Sequence, residues 1–395
     1  MDILTLNQLD CTHKRVLLRV DLNVPLTPDG SVADDTRIRA IVPTLKHLLQ
    51  QRAKIILLSH LGRPKGRLDK RYTLEPVASV LSQQLNQFVD FVADCIGPVV
   101  DAKISQMQPA DILLLENLRF YPGEEANDLA FAEELAQCGD VYINDAFGAL
   151  HRAHASTFHL PELMLHKGMG LLVEKELHFL DQAIRSPRQP FVVLLGGSKI
   201  SDKIGMIEQF IQRANTILVG GAMAYTFLAA QGLEVGASLI EPAFLDGARH
   251  LLQQAQDKGI SLLLPIDHRC VDQTHFESAV LQPISITQTI GANQVGGDIG
   301  PATQALYAQH ILQAATVLWN GPMGMFEQSA FAEGTYAVAQ AMAQTQALTI
   351  VGGGDSARAM QASGLGNQID FISTGGGATL AYLSGEPLPG LEALK

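Results

Sequence analysis

The chain has 395 residues, 47% hydrophobic and 17% charged, with a net charge of −12. That length is too great for one ordinary core and fits two domains of comparable size, and the acidic balance of both halves excludes a general nucleic-acid binder. Cys11, Cys95, Cys138 and Cys270 are scattered without a Cys-x-x-Cys pair, the start lacks a basic region followed by an apolar one, and no apolar run approaches a bilayer span, so a cytoplasmic protein without disulfides, structural zinc or membrane contact is expected.

Strand-like runs alternate with amphipathic segments from end to end, the pattern of parallel sheets with crossover helices. In the first half, strands are expected at Arg15–Val20, Lys54–Ser59, Ile112–Glu116 and Val141–Ile143. Between the first two, residues 36–53 put Ile38, Ile41, Val42, Leu45, Leu48 and Leu49 on one stripe at helical spacing. Thr73 reads as the cap of a helix carrying Val77, Val80, Leu81 and Leu85. Gly168-Met-Gly170 follows no expected strand and leads into a helix over 171–180, a natural connection between domains.

In the second half, strands are expected at Phe191–Leu195, Thr216–Val219, Ser261–Ile266, Thr316–Trp319, Leu348–Val351 and Phe371–Ser373. Four of these runs end in glycine and open into a helix: Leu195-Gly-Gly-Ser-Lys-Ile-Ser-Asp-Lys203, Val219-Gly-Gly221, Val351-Gly-Gly-Gly-Asp-Ser356 and Ser373-Thr-Gly-Gly-Gly377. Strand, glycines and helix start bring bare backbone N–H groups and a positive dipole end to one point, which suits phosphate. The first half instead places Asp21, Asn23, His60, Arg63, Arg119, Asn144 and Asp145 at its strand ends, where open α/β sheets bind ligands. Asp145 reads best as a helix cap, and His154 and His268 as packing or solvated residues. No Gly-x-x-x-x-Gly-Lys-Ser/Thr loop, opening Gly-x-Gly-x-x-Gly or Gly-x-Ser-x-Gly elbow occurs, which argues against a P-loop NTPase, a dinucleotide dehydrogenase and a serine hydrolase.

Arg19-Val-Asp-Leu-Asn-Val-Pro25, Asp35-Thr-Arg-Ile-Arg39, Ser59-His-Leu-Gly-Arg-Pro64, Leu115-Glu-Asn-Leu-Arg-Phe120, Asn144-Asp-Ala-Phe-Gly148 and His151-Arg-Ala-His154 resemble phosphoglycerate kinases, in the family's order. So do the 195–203 and 373–377 segments, Asp298-Ile-Gly-Pro301, Trp319-Asn-Gly-Pro322 and Gly352-Gly-Gly-Asp355, and the matches cover essentially the whole chain. The resemblance implies two Rossmann-like α/β domains with mostly parallel sheets, joined by a hinge helix around a central cleft. Residues 1–170 would bind the triose phosphate, 171–181 form the hinge helix, 182–373 bind the nucleotide, and 374–395 return toward the first domain.

The implied reaction is reversible phosphoryl transfer between ATP and the carboxylate of 3-phosphoglycerate, giving ADP and 1,3-bisphosphoglycerate, a step of glycolysis and gluconeogenesis in a cytoplasmic monomer. By the same resemblance, His60, Arg63, Arg119 and Arg152 take the substrate's phosphate, Asp21 its hydroxyl, and Asn23 and Arg37 its reacting carboxyl end. Arg37, Lys199, Lys203 and Gly376 would stabilise the transferring group. Gly197, Lys199, Lys203, Gly220, Gly297, Asn320, Glu327, Gly353, Gly354, Asp355 and Ser356 would hold the nucleotide, with Asp355 carrying Mg²⁺ and Glu327 at the ribose. A carboxylate nucleophile is ionised at neutral pH, so the absence of an evident general-base dyad is expected. The chain departs from the family at 159–167, before the hinge, and at Gly296-Gly297, where a bulkier pair is common. The competing readings are a non-catalytic anion-binding homologue, which would have lost part of the charged set, and another acyl-phosphate kinase, which would not need the Arg/His cluster.

Overall fold

The computed structural model describes residues 3–276 and 284–395. It resolves into two compact units, Met1–His178 with Pro387–Lys395, and Phe179–Glu386. The chain passes from one to the other within helix Leu171–Ile184.

The first unit is built on strands β1 (Arg15–Val20), β2 (Lys54–Leu58), β3 (Val89–Val92), β4 (Ile112–Leu115), β5 (Val141–Asp145) and β6 (Lys167–Met169). They pair in parallel in the order β3-β4-β2-β1-β5-β6. The central strands are buried on both faces rather than alternately, as expected where helices cover both sides of a parallel sheet. Helix Thr36–Gln50 lays Ile38, Ile41, Leu45 and Leu48 on that sheet, with Thr44 completing the buried stripe and Val42 and Leu49 only partly covered. Leu45 is wholly buried, so Leu45→Ala should cost about 2–5 kcal/mol.

Two expectations in this unit are corrected. Lys167–Met169 is itself an edge strand, pairing with Tyr142–Asn144. Gly168 sits there because a Cβ would meet the Leu4 carbonyl oxygen at 2.5 Å, and that glycine hides the strand from a propensity reading. Thr73 is not the cap of the second helix, which begins at Glu75 with Leu74 in the cap position. The Glu116 carboxylate, reaching over from the end of β4, accepts the Thr73 hydroxyl at 2.7 Å and the Leu74 N–H at 2.9 Å.

Asp145 is a cap, but of a helix distant in sequence. Its Oδ1 accepts the N–H groups of Leu172 (2.8 Å) and Val173 (3.2 Å) at the start of helix Leu171–Ile184. Complete burial pushes its pKa up to about 6. Gly170 must be glycine, since a Cβ would lie 2.3 Å from that carboxylate.

The second unit carries β7 (Phe191–Leu195), β8 (Thr216–Val219), β9 (Ser261–Leu263), β10 (His268–Asp272), β11 (Ser285–Thr287), β12 (Gln294–Ile299), β13 (Thr316–Asn320), β14 (Leu348–Gly352) and β15 (Phe371–Ile372). Six form a parallel sheet in the order β15-β14-β13-β7-β8-β9. Strands β10 to β12 form a separate antiparallel sheet inserted between β9 and β13. The expected strand through Ile266 stops at Leu263, because Pro265 has no N–H for a ladder. Among the described residues no helix is long and apolar enough to cross a membrane.

In the first sheet, chain order reverses between β1 and β5; in the second, between β7 and β13. Those two switch points are where an open α/β sheet leaves a crevice at its strand ends.

Candidate active site

At the first switch point β1 runs into Asp21 and Asn23. Arg37, in the first turn of helix Thr36–Gln50, turns back onto them. Its Nη1 donates to Asp21 Oδ1 at 3.1 Å and to the Asn23 carbonyl at 2.9 Å. It does not pair with the acidic residues beside it in sequence: Asp34 accepts the Thr36 N–H at 2.8 Å, and Asp35 pairs with Arg39 at 3.0 Å. The Asn23 side chain accepts the Gly62 N–H at 2.8 Å, and Arg119 Nη1 donates to the Gly62 carbonyl at 2.7 Å, so the loop after β2 is tied on both sides. Gly62 has φ +60°, and a Cβ there would lie 2.3 Å from the Tyr72 ring, so only glycine suits this turn.

His60 is buried beneath this loop with Arg19 beside it, its Nδ1 3.1 Å from Arg19 Nη2. Arg119 is buried and lies 3.3 Å from the Glu125 carboxylate. Arg152 Nε donates to His151 Nε2 at 3.1 Å. Arg63 is exposed, with no side-chain partner among the described residues. Burial and neighbouring arginines hold His60 well below the usual histidine range and bring His154 down to about 3. Both imidazoles are therefore neutral at pH 7, and the positive field belongs to the arginines. A cluster in which arginines outnumber the carboxylates within reach is a site for a multiply charged anion.

In the second unit β7 runs into Gly196 and β13 ends at Asn320. Gly197 adopts φ +118°, and a Cβ on Gly196 would lie 2.0 Å from the Pro322 carbonyl, so the two strand ends meet backbone to backbone. Lys203, half-buried just before helix Ile204–Ile211, donates to Asn320 Oδ1, and the Asn320 amide donates to the Gly352 carbonyl at 3.0 Å. Burial lowers the Lys203 pKa to about 8. Gly353 at φ +93° turns the chain into helix Gly354–Ala362, and Gly376 at φ +53° does the same for helix Gly377–Leu383.

A cavity of about 480 Å³ adjoins these turns, lined by Gly197, Ala222, Phe276, Gly297, Met325, Glu327 and Asp355 among others. Its volume is that of a small-molecule site with mostly apolar walls. Asp355 and Glu327 stand at its exposed rim, bridged by Arg358 at 2.7 and 3.4 Å respectively. The small residues of its wall have steric causes. A Cβ on Gly296 would meet the Tyr225 hydroxyl at 2.1 Å, and one on Gly297 the Phe331 ring at 2.5 Å. Those aromatic side chains occupy the space that a bulkier pair at 296–297 would fill.

The structure thus brings Asp21, Asn23, Arg37, His60, Arg119 and Arg152 to one switch point. Gly197, Lys203, Gly297, Asn320, Glu327, Gly353, Gly354 and Asp355 lie at the other. Lys199 is exposed on the same loop as Lys203. Two expected nucleotide residues face inward instead. Gly220 packs against Met323 Sδ, with Gly221 lining the cavity in its place, and the buried Ser356 hydroxyl accepts the Gly321 N–H at 2.6 Å. Sequence reasoning missed Arg19, Glu124, Ser156 and Arg358. A charged residue inside the apolar run Val16–Val20 was the available signal for the first.

The model of the phosphoglycerate kinase family matches residues 6–386. The chain belongs to that family. It is accordingly a phosphotransferase with a carboxyl group as acceptor. It is 50% identical to the phosphoglycerate kinase of Anaeromyxobacter sp. strain Fw109-5, over 100% of both chains, and 48% identical to that of Chlorobaculum tepidum, over 99% and 98%. Among solved structures it is similar to phosphoglycerate kinase from Coxiella burnetii, with a TM-score of 0.90 and 37% identity over 99% of this chain and 98% of that one. The Pyrococcus horikoshii enzyme gives 0.83 and 31% over 98% of each. Of the two family departures noted in the sequence, Gly296-Gly297 lines the cavity at the second switch point, and 159–167 contributes none of the residues gathered at either one.

Proposed function

We propose that the chain transfers a phosphoryl group reversibly between ATP and the carboxylate of 3-phosphoglycerate, with the triose held by the first unit and the nucleotide by the second. The observation that carries this reading is the arginine cluster around Gly62, Asp21 and His60. A kinase for acetate or another acid without a phosphate would have no use for an arginine cluster of this size, with Arg19 and Arg119 buried in it.

In this account Arg119, Arg152, Arg63 and the His60 imidazole bind the triose phosphate, Asp21 accepts its hydroxyl, and Asn23 and Arg37 orient the carboxylate. No general base is required, because the nucleophile is already ionised. Both hydrogens of Arg37 Nη1 are engaged by Asp21 and Asn23, which leaves Nε–H and Nη2 as a free planar fork for oxygen atoms of the reacting group. Lys203 supplies a partly desolvated positive charge to the nucleotide phosphates, and the backbone N–H groups around Gly353, Gly354 and Gly376 supply neutral donors.

Asp355 fits a hard divalent cation. It is an exposed carboxylate on the cavity rim, with Glu327 the other, and Mg²⁺ is usually held by one or two carboxylates with substrate phosphates and water as the remaining ligands. When bound, Mg²⁺ would offset the charge of the nucleotide phosphates. Since the acyl phosphate product is prone to hydrolysis, turnover should require the two ligand sets to approach each other and exclude water.

A coupled assay with purified protein, 3-phosphoglycerate and Mg-ATP tests the reading. Turnover with 3-phosphoglycerate and none with acetate is expected. Equal rates with both acids would refute the role given to the arginine cluster.

A further inference from the structure

Arg19 lies inside β1 and is 1% exposed, with every arm of its guanidinium engaged. Its Nε donates to Ser156 Oγ at 2.8 Å, its Nη1 donates to the Val20 carbonyl, and its Nη2 lies 3.1 Å from His60 Nδ1. Ser156 in turn donates its hydroxyl to Glu124 Oε1 at 2.7 Å and its N–H to Glu124 Oε2 at 3.0 Å. Glu124 is fully buried and 3.9 Å from the guanidinium, so it is the counter-charge. A buried ion pair of this kind is a poor stabiliser compared with apolar packing. Its geometry has a use elsewhere.

We propose that Arg19 is a positioning residue that fixes His60 as the neutral imidazole with its one proton on Nε2, so that His60 meets the substrate's phosphate as an N–H donor and not as a cation. The argument is one of donor and acceptor inventory. Arginine has five N–H donors and no acceptor, so the ring nitrogen facing it must carry a lone pair. An imidazolium would set N–H against N–H and charge against charge. The other cations facing His60 act in the same direction. Arg119 comes from the segment after β4 and Arg37 from the first long helix, and each disfavours a second proton, while His154, from the segment after β5, is itself neutral at pH 7. Of the buried carboxylates, Glu124 is already held by Arg19 and Ser156, and Asp21 by Arg37. The phosphate's charge is then met by the arginines alone, and His60 adds direction. Its contribution stays constant across the pH range in which free histidine titrates.

This inference rests on the proposed role of His60 at the triose phosphate, but its first test does not. Long-range ¹H–¹⁵N spectra of the full chain labelled at histidine, with His60 assigned by its loss in His60→Gln, report the tautomer without substrate. An unprotonated Nδ1 and a protonated Nε2, unchanged between about pH 5.5 and 8 where free histidine would titrate, are expected. A proton on Nδ1, or titration to the imidazolium in that range, would overturn the proposal.

In Arg19→Met/Glu124→Gln, which removes both buried charges together, His60 should show mixed tautomers and titrate. Retention of the wild-type signals would assign the tautomer to something other than Arg19. Kinetically, a glutamine amide nitrogen stands near the place of Nε2 and an asparagine nitrogen near that of Nδ1. His60→Gln should therefore keep KM for 3-phosphoglycerate within about threefold, and His60→Asn should raise it about 10–100-fold, the worth of one hydrogen bond to a charged group. The reverse order would overturn the donor role. Absence of 3-phosphoglycerate turnover in the wild type would sink the triose reading and leave the tautomer result standing.

Discussion

Replacing Arg37 with alanine separates a structural ion pair from a catalytic contact, because the two differ in size. The Arg37 side chain is 35% exposed and its pair with Asp21 is 3.1 Å long. Asp21 is buried, so losing that contact together with the bond to the Asn23 carbonyl should cost about 1–3 kcal/mol of folding stability, a modest shift of the urea midpoint. The free Nε and Nη2 fork is a separate matter. If it meets the transferring group, an arginine there supplies about 10³–10⁵ in rate, which corresponds to about 4–7 kcal/mol of transition-state stabilisation. Arg37→Ala should thus lower kcat by at least about a thousandfold with a much smaller change in the affinity for 3-phosphoglycerate. Arg37→Lys should recover only part of the loss, since one point charge cannot serve Asp21, Asn23 and the substrate together. Steady-state rates with both substrates saturating are the measurement. A kcat within about threefold of wild type, far less than such an arginine supplies, would remove Arg37 from the mechanism.

Other perturbations have defined outcomes. Burial brings the Lys203 pKa to about 8, so its charge is lost in the free protein as pH rises through that value. The kcat/KM for Mg-ATP should then fall above about pH 8, and Lys203→Arg should shift that limb upward; a flat profile to pH 10 would contradict the role. Asp355→Ala should abolish Mg-dependent turnover with little effect on calorimetric binding of 3-phosphoglycerate, and equal loss of both would make the residue structural. Arg358→Ala frees Asp355 and Glu327 from an exposed pair and should lower KM for Mg-ADP by at most about fivefold; a raised KM would mean that Arg358 itself touches the nucleotide. Gly297→Ala drives a methyl into the Phe331 ring and should cost about 1–3 kcal/mol in urea unfolding, with no cost if the ring has room to move.

Much of the architecture is legible from local chemistry. The runs at Arg15–Val20, Phe191–Leu195 and Thr316–Asn320 are buried on both faces, so each reads as one continuous β-branched or leucine-rich stretch. The glycine turns announce themselves because a positive φ at Gly197, Gly353 and Gly376 leaves little choice of residue. What escapes is short, polar or glycine-bearing. The inserted sheet contains His268–Asp272 and the Gly296-Gly297 pair, neither of which shows strand periodicity.

The site divides in the same way. His60, Arg119 and Asp355 follow strand ends and could be placed from the order of elements. The Arg19–Ser156–Glu124 chain joins residues 137 and 32 positions apart, and no local pattern encodes such a contact. Arg37 illustrates the limit: sequence offers Asp34 and Asp35 as partners, and only the turn after β1 shows that Asp21 and Asn23 hold it instead.

The central claim is that two separate sets of side chains hold the two substrates, and calorimetry on paired variants tests it directly. Arg119→Ala should lose 3-phosphoglycerate binding and keep that of Mg-ADP, while Lys203→Met should lose Mg-ADP and keep 3-phosphoglycerate. Loss of both ligands in either variant, with the fold intact by circular dichroism, would contradict the division.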